Sequence, residues 1–459
     1  MRIVVALICV SLSVFAHAQD ESPAQILFTN INIFNGSDNR LYEDHSVLVE
    51  GNLIKSISGS AITPGANTTV IDGGGRTLMP GLIDSHVHFY LSMSGGRPGM
   101  ETSRWDYFPA MGAAAAQEWL ADGFTTVRDM GGMHDGLRKV VDAGLLDGPR
   151  MYLAAGMLTQ SSGHGDMLPD GQSTPEHSNL VKLGITLIAD GEDEVRKAVR
   201  QNFSRGADIT KIMIGGGVAG AKGPLWAGQY TDVEIAAAVE ESAKRDMYVS
   251  AHVYQDEHIK RALELGVKGI EHGQFISEET AELMKEKGAF ISPYVASVVS
   301  DEILTHPVFG NKDSFEYART MDMKRGTVEF VSVIKKVRPL IVFSSDIVST
   351  NGIAARQGRD FEKFVFAEAF GNFEALVAMT SAGGKVAAMT GRSNPYPEGK
   401  LGVIEVGAYA DILLLDGNPL EDITIIGGNP KWFTAPPRER GIPTIRLIMK
   451  DGLIYKNTM

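Results

Sequence analysis

A chain of 459 residues, 44% hydrophobic and 22% charged, has globular composition and room for one large domain plus a smaller one. A formal net charge of −13, with no basic tract, excludes a nucleic-acid partner. A single cysteine excludes an internal disulfide framework.

The first predicted element is a targeting segment. Arg2 gives a positive start, residues 3–15 an apolar core, and "AHA" at 16–18 a small-x-small cleavage site. The run is short for a membrane span and meets polar "QDESP" at once. Cleavage after Ala18 is therefore expected, with export to a periplasm or the exterior and no membrane contact afterwards. Cys9 would leave with the segment, so metal ligands in the mature chain would come from His, Asp, Glu and Lys.

Residues 19–78 read as short strands joined by turns. "LGVIEVGAYADILLLDG" (401–417) and "IRLIMKDGLIYKN" (445–457) read the same way. Segments 19–78 and 399–459 are expected to form one small composite β-sandwich from the two chain ends.

Between them, residues 79–398 alternate strand and helix. The strands are 82–88, 124–130, 150–157, 208–214, 247–253, 268–272, 289–295 and 340–346. Helices are expected at 111–121, 136–145, 192–205, 232–246, 256–265 and 278–287, with a loop and one long helix over 296–339. Such βα alternation predicts an α/β fold, a (β/α)8 TIM barrel, with an open doubly wound sheet as the alternative. Residues 159–190 read as a long polar insertion of the kind that carries function.

The strand ends hold the chemistry. His86 and His88 end the first strand on one face. Lys211 lies in the fourth, His252 in the fifth, His272 ends the sixth and Asp346 the eighth. In a parallel barrel these ends share one mouth, so six metal-capable residues converge. Lys211, flanked by apolar residues, should be buried, which favours the neutral amine. A neutral amine takes up carbon dioxide as a carbamate, which can bridge two cations about 3.5–4 Å apart. A Schiff-base lysine is the alternative, but it gives the histidines no role.

Weaker candidates follow. Tyr230 precedes "TDVE", a capping box of Thr231 and Glu234, and either staples onto Ile235 or reaches the substrate. His164 in "SSGHGD" either contacts a substrate carbonyl or carboxylate or is an exposed loop residue. Asp129 either orients a ligand histidine or ends its strand. His134, His177, His258 and His306 read as surface residues. "GGGVAG" (215–220) mimics a dinucleotide fingerprint, but no helix follows, so it reads as a loop over the metals.

Taken together, "PGLIDSHVH", Lys211, "SAHVY", "IEHG", "SSD" and "GVIEVGAYADILLLD" resemble the amidohydrolase superfamily. The resemblance covers nearly the whole mature chain. It lies nearest the imidazolonepropionase-related branch with zinc prolidases, carboxypeptidases and ochratoxin-hydrolysing amidases. It implies two divalent metals, zinc first. His86, His88 and Asp346 would hold the more buried ion, His252 and His272 the more exposed one, and carboxylated Lys211 would bridge them. It also implies that a tyrosine such as Tyr230 polarises the carbonyl, and that the chain forms a homo-oligomer. The expected reaction is attack of a metal-bridged hydroxide on a small-molecule amide with a free carboxylate, Asp346 shuttling the proton. Lactone or phosphotriester hydrolysis, deamination, and a catalytically silent scaffold are the alternatives.

Overall fold

The computed structural model describes residues 24–92, 96–168, 177–218, 222–296, 301–305, 309–348 and 350–459. The expected targeting segment and His306 lie outside the described residues.

From the N-terminal side come β1 (Gln25–Ile33), β2 (Tyr42–Glu50), β3 (Leu53–Ser58) and β4 (Thr68–Pro80). The middle contributes β5 (Leu82–Val87), β6 (Phe124–Asp129), β7 (Arg150–Leu153), β8 (Met157–Thr159) and β9 (Thr186–Ile188). It continues with β10 (Thr210–Met213), β11 (Val249–Gln255), β12 (Gly269–Phe275), β13 (Phe290–Ser292) and β14 (Leu340–Ile341). The C-terminal side adds β15 (Ile412–Leu415), β16 (Ile445–Lys450) and β17 (Leu453–Asn457).

One seven-stranded sheet, β17-β16-β15-β4-β1-β2-β3, takes strands from both chain ends. Alternating apolar residues meet inside it, among them Phe28, Ile31, Val47, Leu78, Ile412, Leu414 and Leu447. The edge strand β3 also contacts the segment before β15: the Ile54 N–H donates to Ala408 O at 2.9 Å, and the Gly407 N–H donates to Ile54 O at 2.8 Å.

Gly81 carries the chain from β4 into β5. A Cβ there would lie 2.1 Å from Thr125 Oγ1, so only glycine fits.

The middle strands are parallel, in the sheets β5-β6-β7 and β14-β13-β12-β11-β10-β8-β9, with helices between them. This is an α/β fold. Backbone bonds link the two sheets at both ends. The Asp208 N–H reaches Leu153 O at 2.8 Å, the Ser85 N–H reaches Phe343 O at 2.9 Å, and the Asp346 N–H reaches His86 O at 2.9 Å.

Several expected elements differ. Residues 150–157 hold two strand pieces, because Ala155 adopts φ 56° and breaks the run. The insertion 159–190 contains a short helix, Asn179–Lys182, capped by Ser178, and then β9. The eighth strand pairs regularly only at Leu340 and Ile341 before the chain turns towards Asp346. The long helix is Phe315–Val337, and Gly352–Phe370, Asn372–Ala378 and Ser381–Ala388 are additional. Among the described residues, no helix is long and apolar enough to cross a membrane.

Candidate metal centre

Every residue of β5 is buried. His86 Nε2 lies 3.1 Å from His88 Nε2, and Asp346 Oδ1 lies 3.5 Å from each of these nitrogens. One ligand atom from each of the three falls within 4.8 Å of the others, close enough to share an ion. His272 brings Nδ1 to 3.9 Å from Asp346 Oδ2. Its ring lies 4.5 Å from that of His252. Lys211 is 1% exposed, and its Nζ has no hydrogen-bond partner among the described residues.

Burial sets the protonation states. It holds the imidazoles of His88, His252 and His272 well below the ordinary histidine range, and cationic neighbours add to the effect. Burial also lowers Lys211 to about 8, against the pull of Glu271 and Asp346. Neutral imidazoles and a neutral amine are the forms that bind metals. Burial raises Asp346, opposed by His86 and Lys211.

Glu271 and Arg128 complete the centre, and neither was singled out by sequence. Glu271 Oε2 lies 2.8 Å from His86 Nδ1. Its Oε1 accepts from Arg128 Nη2 at 2.5 Å and from the Ser250 hydroxyl. Arg128 also donates to Tyr248 Oη at 3.1 Å and to Ser85 O. Burial alone would raise the Glu271 carboxyl, but Arg128 and His86 hold it well below the usual carboxylate range. Such a carboxylate orients the ligand ring and raises its basicity.

Asp84, also buried, accepts from Trp119 Nε1 at 2.9 Å and from the Ser345 N–H at 3.1 Å. It thereby ties β5 to the turn that carries Asp346.

Asp129 acts through the backbone. It accepts from the Phe89 N–H at 2.8 Å and the Gly131 N–H at 3.1 Å, and Gly131 O lies 2.9 Å from His88 Nδ1. Burial raises its carboxyl to about 7.

His164 stacks on His252 with ring centres 4.1 Å apart, so this loop residue reaches the histidine cluster. Gly217 permits the approach, since a Cβ there would lie 2.0 Å from the His164 ring. The neighbouring Gly216 O lies 3.1 Å from His252 Nε2. The described part of the glycine-rich loop therefore lies against the histidines.

Tyr230 is buried with φ 57°, and its hydroxyl has no hydrogen-bond partner among the described residues. The capping box of Thr231 and Glu234 forms beside it, and Tyr230 shares a core cluster with Ile235. Tyr254, unmarked in the sequence reading, stacks on His272 at 4.9 Å. Of the histidines read as surface residues, His177 is exposed. His134 and His258 are instead half-buried, because ring nitrogens face Gly184 O at 3.2 Å and Trp226 O at 3.3 Å.

A buried cluster of nitrogen and carboxylate donors at strand ends, on an α/β fold, is an arrangement that could hold a metal ion. The amidohydrolase family model matches residues 77–440, and the chain belongs to that family. Ochratoxinase from Aspergillus niger is 30% identical over 374 residues, spanning 78% of this chain and 73% of that one. A prolidase solved with N-methylphosphonate-L-proline is 30% identical with TM-score 0.82, covering 95% of this chain and all of that one (100%). An Xaa-Pro dipeptidase solved with methionine in the active site is 25% identical with TM-score 0.77, covering 95% and 100%.

Proposed function

We propose that the chain is an exported, binuclear metal-dependent hydrolase. It cleaves the amide bond of dipeptides or N-acyl amino acids that carry a free carboxylate. The observation that carries this reading is the Lys211 amine, buried without a hydrogen-bond partner among the described residues and close enough to Asp346 and Glu271 to feel their charges. An orphaned buried amine is costly unless another group engages it. Family membership and amide-cleaving relatives support the reaction class. The ligands in the two solved neighbours, a proline derivative and methionine, support a carboxylate-bearing substrate.

His86, His88 and Asp346 would hold one ion, and His252 and His272 the other. Carboxylated Lys211 would stand between them: its nitrogen bonds the carbon of carbon dioxide and releases a proton. Two divalent ions, zinc by the nitrogen–oxygen donor set, supply when bound an acidified water and an electrophile for the carbonyl. Asp346 accepts the proton lost from the attacking water and returns it to the leaving nitrogen. Glu271 keeps His86 oriented. His164, stacked on His252, would contact the substrate carbonyl or carboxylate, and Tyr230 would polarise the carbonyl.

The links Leu153–Asp208, Ser85–Phe343 and Asp346–His86 favour eight strands closed as a barrel over residues 79–398. The contacts of β3 with residues 407 and 408 favour a rolled sandwich made of 19–78 and 399–459. Export rests on residues 1–18 and predicts a mature N-terminus at Gln19.

The test is a panel of N-acyl amino acids and Xaa-Pro dipeptides, run on wild type and Asp346→Asn. We expect turnover of several panel members and a loss of about 10²–10⁴-fold in kcat in the variant. Near-normal turnover by Asp346→Asn would remove the proton shuttle.

A further inference from the structure

We infer that Gln160 and Gln229 are positioning residues whose crossed side-chain amides hold Tyr230 and His164 at the candidate site. Gln160 lies with His164 in the loop after β8, and Gln229 lies beside Tyr230 just before the helix Asp232–Ala243. Each glutamine therefore grips the segment opposite its own. What the held groups do rests on the amide-hydrolase reading, which gives His164 and Tyr230 to the substrate.

The two bonds are reciprocal. The His164 N–H donates to Gln229 Oε1 at 3.0 Å, and the Tyr230 N–H donates to Gln160 Oε1. A backbone N–H can be met only by the oxygen end of an amide, so each bond fixes the orientation of its glutamine. Gln229 is 3% exposed and fills a close slot. A Cβ on Gly163 would lie 2.8 Å from its Oε1, and a Cβ on Gly223 would lie 2.5 Å from its Nε2. An ion pair bridges the same two segments, with Lys222 Nζ donating to Asp166 at 2.9 Å.

The clasp is tied to the strand that carries Lys211. The Gln229 N–H donates to Ile214 O at 2.8 Å, one residue past β10. Through Gln229 the His164 backbone is therefore fixed to that strand end, and its ring stacks on His252 with centres 4.1 Å apart. A loop residue gains in this way the placement of a strand residue, which a reacting group needs.

Tyr230 requires such a hold. Its φ of 57° is left-handed, which a bulky residue keeps only when its surroundings impose it. Gln160 takes its N–H, Arg261 Nη2 donates to its carbonyl at 2.8 Å, and the capping box of Thr231 and Glu234 fixes the residue that follows. The phenol stays buried, with a hydroxyl that no group among the described residues engages. It is a donor held ready for an oxygen that the chain itself does not supply.

The experiment uses the full chain with zinc added, as wild type, Gln160→Met, Gln229→Met and the two glutamate variants, Gln160→Glu and Gln229→Glu. Methionine keeps the volume without an acceptor, whereas glutamate keeps an accepting oxygen. Hydrogen exchange is read at the His164 and Tyr230 amides, hydrolysis is followed with N-acetyl-L-phenylalanine and L-alanyl-L-proline, and thermal melting checks folding. Gln229→Met should lose protection at His164, Gln160→Met should lose it at Tyr230, and glutamate should restore each. In both methionine variants kcat/KM should fall about 10- to 100-fold. Gln229→Met should cost less than about 2-fold more in a His164→Ala background, and Gln160→Met the same in a Tyr230→Phe background. Unchanged protection in folded variants would overturn the clasp, as would equal loss at both amides in either variant. Unchanged kcat/KM alongside lost protection, or losses that simply add to those of His164→Ala and Tyr230→Phe, would overturn the positioning role. The crossed loss of protection in a chain that hydrolyses neither compound would support the clasp and tell against the amide reading alone.

Discussion

Glu271 and His272 are neighbours, and in an unbroken strand their side chains would face opposite sides. Both turn to the candidate metal site because His272 adopts φ 77° and breaks the alternation. Asp346 adopts φ 43° at the end of the eighth strand. Left-handed backbone at such residues costs about 1–3 kcal/mol each, so the surrounding packing must hold it in place. This is why sequence reading found His272 and Asp346 but passed over Glu271. A histidine at a strand end signals ligation by its type, whereas an inward glutamate beside it contradicts period-2 reasoning. Arg128 was missed for the same reason, since its role depends on Glu271 lying across from it. Glu271→Gln should cut metal affinity or activity about 10- to 100-fold, and because it leaves Arg128 buried without its acid it should also destabilise by about 3–5 kcal/mol. Titration calorimetry with zinc checks the first effect, and an unchanged affinity together with unchanged kcat would remove Glu271 from the site.

At the scale of elements, the helix Tyr107–Ala121 is pinned to Gly352–Phe370 by ions rather than by apolar stripes alone. Asp122 caps the first helix and accepts from Arg359 Nη2 at 2.5 Å and from Arg438 Nη2 at 2.8 Å. Arg359 also lies 3.9 Å over the Trp119 ring, whose Nε1 reaches Asp84. Burial alone would raise the Asp122 carboxyl, but the two guanidiniums outweigh it and hold it well below the usual carboxylate range. A depressed carboxylate contributes stability above its unfolded pKa, about 3.9, and loses it as pH falls through the folded value. Asp122→Asn should therefore destabilise by about 3–5 kcal/mol at pH 7. Urea unfolding across pH should show the gap to wild type narrowing only below about pH 4. A gap that closes between pH 5 and 7 would contradict this. Helices with surface periodicity and caps, such as Asp232–Ala243, were legible in sequence. Gly352–Phe370 was not, because it is buried along most of its length and its charged residues Arg356, Arg359, Asp360, Glu362 and Lys363 lie inside the protein rather than on a solvated face.

At the scale of the molecule, both chain ends were readable as strands because one face of each is solvated. Their union in a single sheet followed from the resemblance of the two patterns. The contacts that lock this sheet to the parallel strands were not legible, since they join residues hundreds of positions apart. Arg150, at the start of β7, is 1% exposed, pairs with Asp411 and Asp451, and lies 4.0 Å over the Tyr409 ring. Arg150→Met should cost about 3–5 kcal/mol in urea unfolding, because it leaves Asp411 buried without its cation; a cost under about 1 kcal/mol would mean that neither the ion pairs nor the ring contact of Arg150 holds the junction. The central claim concerns the ions themselves. Elemental analysis of the purified chain, paired with amide hydrolysis before and after chelation, tests it most directly. The account predicts two divalent ions per chain, activity that disappears with them, and recovery on adding zinc. Undiminished hydrolysis by metal-stripped protein would contradict it.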